Sequence, residues 1–227
     1  MALDATLRAA APHQAGRREA GLAAEGGISI LPRDVRLKVL SRLTGASVLF
    51  TVDASGSMGS REVMGHAKSV VLGLLTDAYE KRDRVAMMAF RGTEAPLLLP
   101  FTTSVELAQR RLATMPTGGK SPLALALAKS IETLSRELTR NPGRTPILVL
   151  LSDGRANISM AGSDAFEEAI NQARRIRKLG IKALVVDTDL TWIDSFPYAR
   201  VLAEAMGARC VRLHDLKVGR VVEFITG

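Results

Sequence analysis

Three short polar segments contain residue types that could bind a metal ion. Asp53, Ser55 and Ser57 alternate along the chain directly after an apolar run, and Asp153 follows a second apolar run. Between them, Ser121 ends a Thr-Gly-Gly-Lys-Ser sequence. Carboxylates and hydroxyls, with no His or Cys among them, are hard oxygen donors that suit Mg²⁺ or Mn²⁺ better than Zn²⁺. We therefore expect these five residues to bind one Mg²⁺ ion, with Mn²⁺ as an acceptable substitute.

The spacing of these residues indicates what the ion would do. In a tight loop the Asp-x-Ser-x-Ser pattern directs alternate side chains to the same side, while Asp153 would act through water. Because the charged ligands are few, the ion would stay electrophilic, with one position open for a carboxylate from a partner protein. None of these residues is an evident general base near pH 7. The set therefore favours docking over catalysis, although each segment alone would be equally typical of a helix N-cap.

The elements that must position these residues alternate between strands and helices. Apolar runs predict strands at 47–52, 84–90, 97–101, 147–151, 181–186 and 210–213. Amphipathic patterns predict helices at 62–80, 105–112, 122–139, 164–179 and 198–206, followed by a terminal helix. Repeated βα units predict a doubly wound α/β fold, in which helices flank a mostly parallel sheet with one antiparallel edge strand. In such folds ligands bind at the carboxyl ends of the strands, which is where these polar segments should meet.

The first part of the chain departs from this regular pattern. Residues 1–32 are rich in Ala, Gly and Arg with weak periodicity, so we expect an N-terminal arm or linker followed by one domain over 33–227. At the start of that domain, Val35, Leu37 and Val39 alternate with Arg36 and Lys38. This alternation predicts a half-buried edge strand.

Composition excludes several classes of protein. The 227 residues carry 31 Lys and Arg against 23 Asp and Glu, a formal charge of +8, and 47% are hydrophobic. Such a chain is neither disordered nor a disulfide scaffold. It has no apolar run near the ~20 residues of a membrane span, and its single Cys210 fits a reducing compartment, so we expect a cytoplasmic protein. Aromatic residues make up only 4%, which disfavours nucleic-acid binding; an acidic protein surface would suit the charge equally well.

The sequence Asp-Ala-Ser-Gly-Ser-Met at 53–58 resembles the metal-ion-dependent adhesion site of von Willebrand factor A domains. In that family a later Thr and Asp complete the site; Ser121 and Asp153 match those positions, and the Ser keeps the hydroxyl. Further segments resemble the C-terminal domain of magnesium-chelatase D subunits, namely residues 4–12, 82–86, 116–123 and 151–157. The resemblance covers nearly the whole chain, including the arm.

This resemblance implies a non-catalytic component of a metal-inserting complex. In the family, the D subunit pairs with the I subunit, an AAA+ ATPase. Both drive the porphyrin-binding H subunit to insert Mg²⁺ into protoporphyrin IX for chlorophyll or bacteriochlorophyll synthesis. An acidic residue of the I or H subunit would complete the coordination of the ion, and Gly118, Gly119, Lys120 and Arg155 would face that partner. Since D subunits carry an AAA+-like domain and an acidic linker before this module, we expect the chain to be a fragment.

Other functions remain open from the sequence. Cobalt chelatases of cobalamin synthesis share this domain type, so the inserted metal is not fixed. Asp187 and Asp189 resemble motif I of haloacid-dehalogenase-type phosphatases, but too little chain follows to supply the remaining motifs. The Gly-Lys-Ser run at 119–121 imitates the end of a P-loop, yet Thr114 replaces the Gly that a Walker A motif requires. We therefore expect no bound nucleotide and no catalysis by this chain alone.

Overall fold

A computed structural model of the chain describes residues 2–22, 27–37, 45–56, 61–80, 83–113, 117–189 and 196–215. The chain divides into two compact units, Met1–Leu43 and Thr44–Gly227. This division falls later in the chain than residue 32, where the sequence pattern predicts the end of the arm. Ser57 and the expected terminal helix after residue 215 lie outside the described residues.

The N-terminal unit contains two short helices, α1 (Leu3–Ala10) and α2 (Gln14–Glu19), and is held by polar side chains. Gln14 accepts the N–H group of Ser29 at 2.8 Å and donates to its carbonyl oxygen at 2.9 Å. Arg17 donates to the same carbonyl oxygen and forms two hydrogen bonds with Asp34, of 2.6 and 3.0 Å. Helices this short cannot bury a broad apolar stripe, so these bonds fix the segment that follows them.

A sheet of six strands forms the centre of the described part of the second unit. The strands are β1 (Ala46–Asp53), β2 (Arg84–Phe90), β3 (Leu97–Thr102), β4 (Thr145–Ser152), β5 (Lys182–Asp187) and β6 (Arg209–Arg212). Their order is β3-β2-β1-β4-β5-β6, and every neighbouring pair is parallel except β2 and β3. The prediction of a mostly parallel sheet with one antiparallel edge strand is therefore confirmed.

The helices described in this unit are α3 (Arg61–Glu80), α4 (Val105–Ala113), α5 (Leu123–Arg140), α6 (Ala165–Lys178) and α7 (Tyr198–Met206). Capping residues determine where two of these helices begin or end. Asp164 caps α6 by accepting two backbone N–H groups, and Gly207 ends α7 in the left-handed conformation, at φ +66°. Across the described ranges, none of the helices combines the length and apolar character that a membrane crossing requires.

Strand β1 is buried on both faces, which explains its nearly uninterrupted apolar sequence. Val48 and Phe50 pack in one layer with α3, where Val70 contributes. Leu49 faces the opposite layer, together with Leu127 of α5. This double burial fixes the register of β1 and therefore the position of the residue at its carboxyl end.

The edge strand predicted at 35–39 is wrong for the residues that the structure describes. Val35 and Leu37 lie in irregular backbone and are 39% and 75% exposed, while residues 38 and 39 lie outside the described part. The carbonyl oxygen of Arg36 accepts the N–H group of Ala2 at 2.6 Å. The segment is therefore bonded to the start of α1, and alternation over so few residues was not enough to specify a strand.

The buried Arg17–Asp34 pair makes the N-terminal unit sensitive to acid. Hydrogen bonds from Arg17 lower the pKa of Asp34 from 3.8 to about 2. A carboxyl group whose pKa is lowered by folding stabilises the folded state at pH values above its ordinary pKa of 3.8. This contribution disappears as the pH falls from 3.8 towards 2. We expect the protection factor of the Leu31 amide, which donates to Asp34, to decrease as the pH falls through this window, after correction for the intrinsic pH dependence of amide exchange.

The substitution Asp34→Asn should give about tenfold faster exchange at neutral pH, because it leaves the buried charge of Arg17 uncompensated. A matched control is Asp4→Asn, which removes an ion pair with Arg8 whose side chains are 78% and 81% exposed. Exposed pairs contribute little, so the control should exchange like the unmodified chain. Equal acceleration by both substitutions would contradict the structural role of the buried pair.

Candidate metal centre

The carboxylate of Asp53 joins three segments of the chain. Asp53 ends β1 and is fully buried, and its Oδ1 atom accepts the N–H group of Ser55 at 2.9 Å. Its Oδ2 atom accepts the hydroxyl of Ser121 at 3.1 Å and that of Ser152 at 3.0 Å. These serines lie 68 and 99 residues further along the chain. One side chain thus brings together the ends of two parallel strands and the loop before α5.

The electrostatics of Asp53 favour a nearby cation. Burial raises the pKa of this carboxyl from 3.8 to about 6, and the charge of Asp153 adds to the increase. Hydrogen bonds from Ser55 and Ser152 oppose it in part. A cation would stabilise both carboxylates in their charged form. The donors therefore fit a hard divalent ion.

The described residues contain no group of three or more His, Cys, Asp or Glu that could hold a metal. An ion bound near Asp53 would have to rely on hydroxyls, two carboxylates and water, which is a donor set that suits Mg²⁺. Asp153 directly follows β4, is 6% exposed, and accepts the N–H group of Arg155 at 3.0 Å. The metal-ligand roles, including that of Ser57 outside the described residues, remain predictions.

The Gly-rich loop before α5 is bonded to the loop after β1. The N–H group of Gly118 donates to the carbonyl oxygen of Ala54 at 2.7 Å, and that of Gly56 donates to Gly119 at 2.8 Å. Gly118 and Gly119 have φ angles of +110° and +95°, which residues with a Cβ rarely adopt. Lys120 has an exposed side chain on the same loop. The predicted partner-binding residues of this loop therefore lie beside Asp53, and their binding role stays a prediction.

Two residues that position this site were absent from the predicted set. Ser152 donates to Asp53 and accepts the N–H group of Gly154 at 3.0 Å. Asn157 accepts the N–H group of Ser121 at 2.6 Å and donates its own to the Ser121 carbonyl oxygen at 3.2 Å. The role of Ser152 could have been predicted, because a hydroxyl at the end of a buried apolar strand needs a hydrogen-bond partner. The role of Asn157 could not have been predicted from local sequence, because its contact with Ser121 joins loops 36 residues apart.

Arg155 links the loops after β4 and β5. Its Nη2 atom lies 3.3 Å from Asp189, and its Nε atom lies 3.9 Å from Asp153. Asp187 accepts the N–H group of Asp189 at 2.9 Å, and burial raises its pKa. Both carboxylates of the phosphatase-like sequence are therefore engaged in contacts within these loops, and a phosphatase role for them stays an untested alternative.

Comparison with known proteins identifies the family. A profile for the von Willebrand factor type A domain matches residues 48–155, and a profile for the AAPxQ domain matches residues 1–40. A magnesium-chelatase 67 kDa subunit of Heliobacterium mobile is 39% identical over 232 residues, 99% of this chain and 34% of that protein. A magnesium-chelatase 60 kDa subunit of Cereibacter sphaeroides is 41% identical over 194 residues, 82% of this chain and 33% of that protein.

A third relative is similar over nearly its whole length. The uncharacterized protein MJ0910 of Methanocaldococcus jannaschii is 35% identical over 166 residues, which are 73% of this chain and 95% of that protein. The chain belongs to the von Willebrand factor type A family and is a homologue of the magnesium-chelatase 60 and 67 kDa subunits. This von Willebrand factor A domain and its N-terminal unit together span about a third of the length of the two chelatase subunits.

Solved structures support the fold of the von Willebrand factor A domain. An aerotolerance-related membrane protein of Bacteroides fragilis matches with a TM-score of 0.58 at 18% identity, over 74% of this chain and 91% of that one. The SpRpn10 VWA domain matches with a TM-score of 0.59 at 11% identity, over 74% of this chain and 88% of that domain. At these identities the similarity establishes the fold alone.

Gly154 gives a test of how tightly the Asp153 loop is held. At φ +78°, a Cβ on Gly154 would overlap the backbone nitrogen of Ala199 in α7. The substitution Gly154→Ala should therefore lower the free energy of unfolding by about 3 kcal/mol, through overpacking and backbone strain. Denaturant unfolding measures this loss.

The matched control is Gly162→Ala, at φ +85° with no atom within 4 Å of the added Cβ. Backbone strain alone should cost this variant about 1 kcal/mol. If both variants lost the same stability, the close packing of the Asp153 loop against α7 would be refuted.

Proposed function

We propose that this chain is the Mg²⁺-dependent docking module of a magnesium-chelatase D subunit. The observation that carries the proposal is the buried Asp53 carboxylate, which gathers hydroxyl groups from distant loops. In this proposal five residues bind one Mg²⁺, or Mn²⁺ in its place: Asp53, Ser55, Ser57, Ser121 and Asp153. The hard oxygen donors and the raised pKa of Asp53 support a divalent cation over other ligands.

The bound ion would offer an electrophilic centre to a carboxylate of a partner protein. Ser152 holds Asp53 in one orientation, and Asn157 holds Ser121, so the donors are fixed before an ion arrives. Lys120 and Arg155 add positive charge around the centre. The serine hydroxyls are neutral, so they leave much of the charge of the ion available to an incoming anion.

Two clefts give a partner segment room on either side of the centre. One of about 640 Å³ is lined by Arg91, Gly118 and Gly119. The other, of about 470 Å³, is lined by Asp153 and Tyr198 among others. A segment with its acidic side chain on the ion could therefore extend across this edge of the sheet. This geometry supports docking of a polypeptide.

The partners we propose are the AAA+ I subunit and the porphyrin-binding H subunit of the chelatase. The named relatives are chelatase subunits about three times as long as this chain, since it covers 33–34% of them. An acidic residue of one partner would complete the coordination, which would couple ATP-driven motion of the I subunit to metal insertion by the H subunit. The Mg²⁺ inserted into protoporphyrin IX is the substrate, distinct from the ion at Asp53. This chain takes no catalytic part in the proposal.

Binding of Mg²⁺ by the isolated chain tests the metal centre. At a concentration 100 times the Kd, Mg²⁺ should raise the free energy of unfolding by about 2.7 kcal/mol. The substitution Asp53→Asn keeps the shape of the side chain and removes its charge, so it should abolish this gain without unfolding the metal-free protein. Calorimetric titration and thermal unfolding measure both effects.

The matched control for this experiment is Asp215→Asn, which removes an exposed carboxylate outside the proposed ligand set. It should keep the full stabilisation by Mg²⁺. Retention of Mg²⁺ binding by Asp53→Asn, or its loss in the control, would argue against the proposed centre.

Assembly with the other chelatase proteins tests the docking role. The purified I and H subunits should retain this chain on a column in Mg²⁺ and release it in EDTA. Asp53→Asn should weaken retention at least tenfold, or about 1.4 kcal/mol, because the ion that bridges the partners is lost. Wild-type retention of this variant would contradict metal-dependent docking even if Mg²⁺ binding itself were verified.

A further inference from the structure

The end of the sheet opposite Asp53 is strongly basic. Strands β4, β5 and β6 begin there, and helices α5 and α6 end there, because helices that cross between parallel strands run back against them. We call this surface the basic end and define it by eight residues: Arg140, Arg144, Arg174, Arg175, Arg177, Lys178, Lys182 and Arg209. All but the half-buried Arg144 are exposed.

The sheet and the packing of α6 bring these residues together. Lys182 is paired with Ile147 of β4, three residues after Arg144. Arg209 is paired with Leu184 of β5, close to Lys182. The side chain of Arg177 lies over the turn before β6, 3.2 Å from where a Cβ on Gly207 would be. The cations therefore share one edge of the unit.

No acidic residue occurs in the segments that form the basic end. Residues 139–147, 171–184 and 207–210 contain these eight cations and no Asp or Glu. Of the 31 Lys and Arg residues in the chain, these eight leave 23, which equals the number of Asp and Glu. The formal charge of +8 thus corresponds to this surface, while the rest of the chain is balanced overall.

Stabilisation of helix C-termini through the helix macrodipole explains only some of these basic residues. Arg140, Arg175, Arg177 and Lys178 lie in the last turns of α5 and α6, where cations stabilise a helix. Arg174 precedes the last turn of α6, so it gains less of this stabilisation. Glu137 also lies in the last turn of α5, but it is buried and paired with Arg84. The exposed charge of the three segments is therefore positive, which is typical of a surface that attracts an oppositely charged partner.

An apolar residue within the basic end indicates the class of that partner. Leu179 lies between Lys178 and Lys182 in sequence and is 54% exposed. The three segments contain no Phe, Tyr or Trp, so they lack the stacking surface that single-stranded nucleic acids use. A polypeptide can combine carboxylates for the cations with an apolar side chain for Leu179.

We propose that the basic end binds an acidic polypeptide segment that carries at least one large apolar side chain. This surface lies at the opposite end of the strands from Asp53. Binding there requires no metal ion, so it is independent of the docking proposed for the metal centre.

A short peptide of alternating Glu and Leu, labelled for fluorescence anisotropy, tests this surface at low salt. The double substitution Arg174→Gln with Lys178→Gln should weaken binding about tenfold, because both charges face the peptide. The matched control is Arg110→Gln with Arg111→Gln on α4, which changes the same total charge on exposed residues and should weaken binding less than about twofold. Circular dichroism verifies that both variants fold.

Three further measurements separate the alternatives. EDTA and Asp53→Asn should leave peptide binding unchanged, whether or not the metal centre functions as proposed. Leu179→Ser should weaken binding of the Glu-Leu peptide while leaving binding of poly-glutamate unaffected. Equal weakening by the two double variants would overturn the proposal, as would tighter binding of duplex DNA than of the peptide at physiological salt.

Discussion

A buried carboxylate with hydrogen bonds from separate loops is the constraint on which the rest of the site depends. Asp53 can be held at the end of β1 only because the strand is buried on both faces and cannot slip in register. Its Oδ2 atom receives hydroxyls from residues far away in sequence, so the loops after β1 and β4 and the loop before α5 stay together. The charge is costly to bury, which explains the raised pKa and makes the position suitable for a cation.

The two ends of the sheet carry different chemistry. At the carboxyl ends of the strands, Asp53, Asp153 and Asp187 concentrate negative charge that a divalent ion would offset. At the opposite end eight basic residues lie in three segments that contain no Asp or Glu. A parallel sheet makes this separation possible, because every β4–β6 strand presents the same end to the same side. Partners that bound at the two ends would therefore not compete for the same surface.

Apolar runs and helix caps predicted the sheet and its helices well, since each depends on local pattern. Residues 147–151 needed only their own hydrophobicity to be recognised as the buried strand β4. The site was predicted less completely: Asn157 acts through a contact between distant loops, which no local pattern encodes. The N-terminal unit resembled a linker because Gln14 and Arg17, rather than an apolar stripe, hold its short helices in place.

The contacts of Gln14 have a consequence for how related sequences can vary. Gln14, in the Ala-Ala-Pro-His-Gln run of the AAPxQ region, donates to the carbonyl oxygen of Ala10 and contacts Ser29 through the main-chain N–H and carbonyl of that residue. Any residue other than proline at that position offers the same two groups. Selection should therefore preserve the glutamine, whereas the side chain at position 29 can vary. The sequence around residue 29 can then diverge among relatives while the backbone of this segment keeps the same conformation.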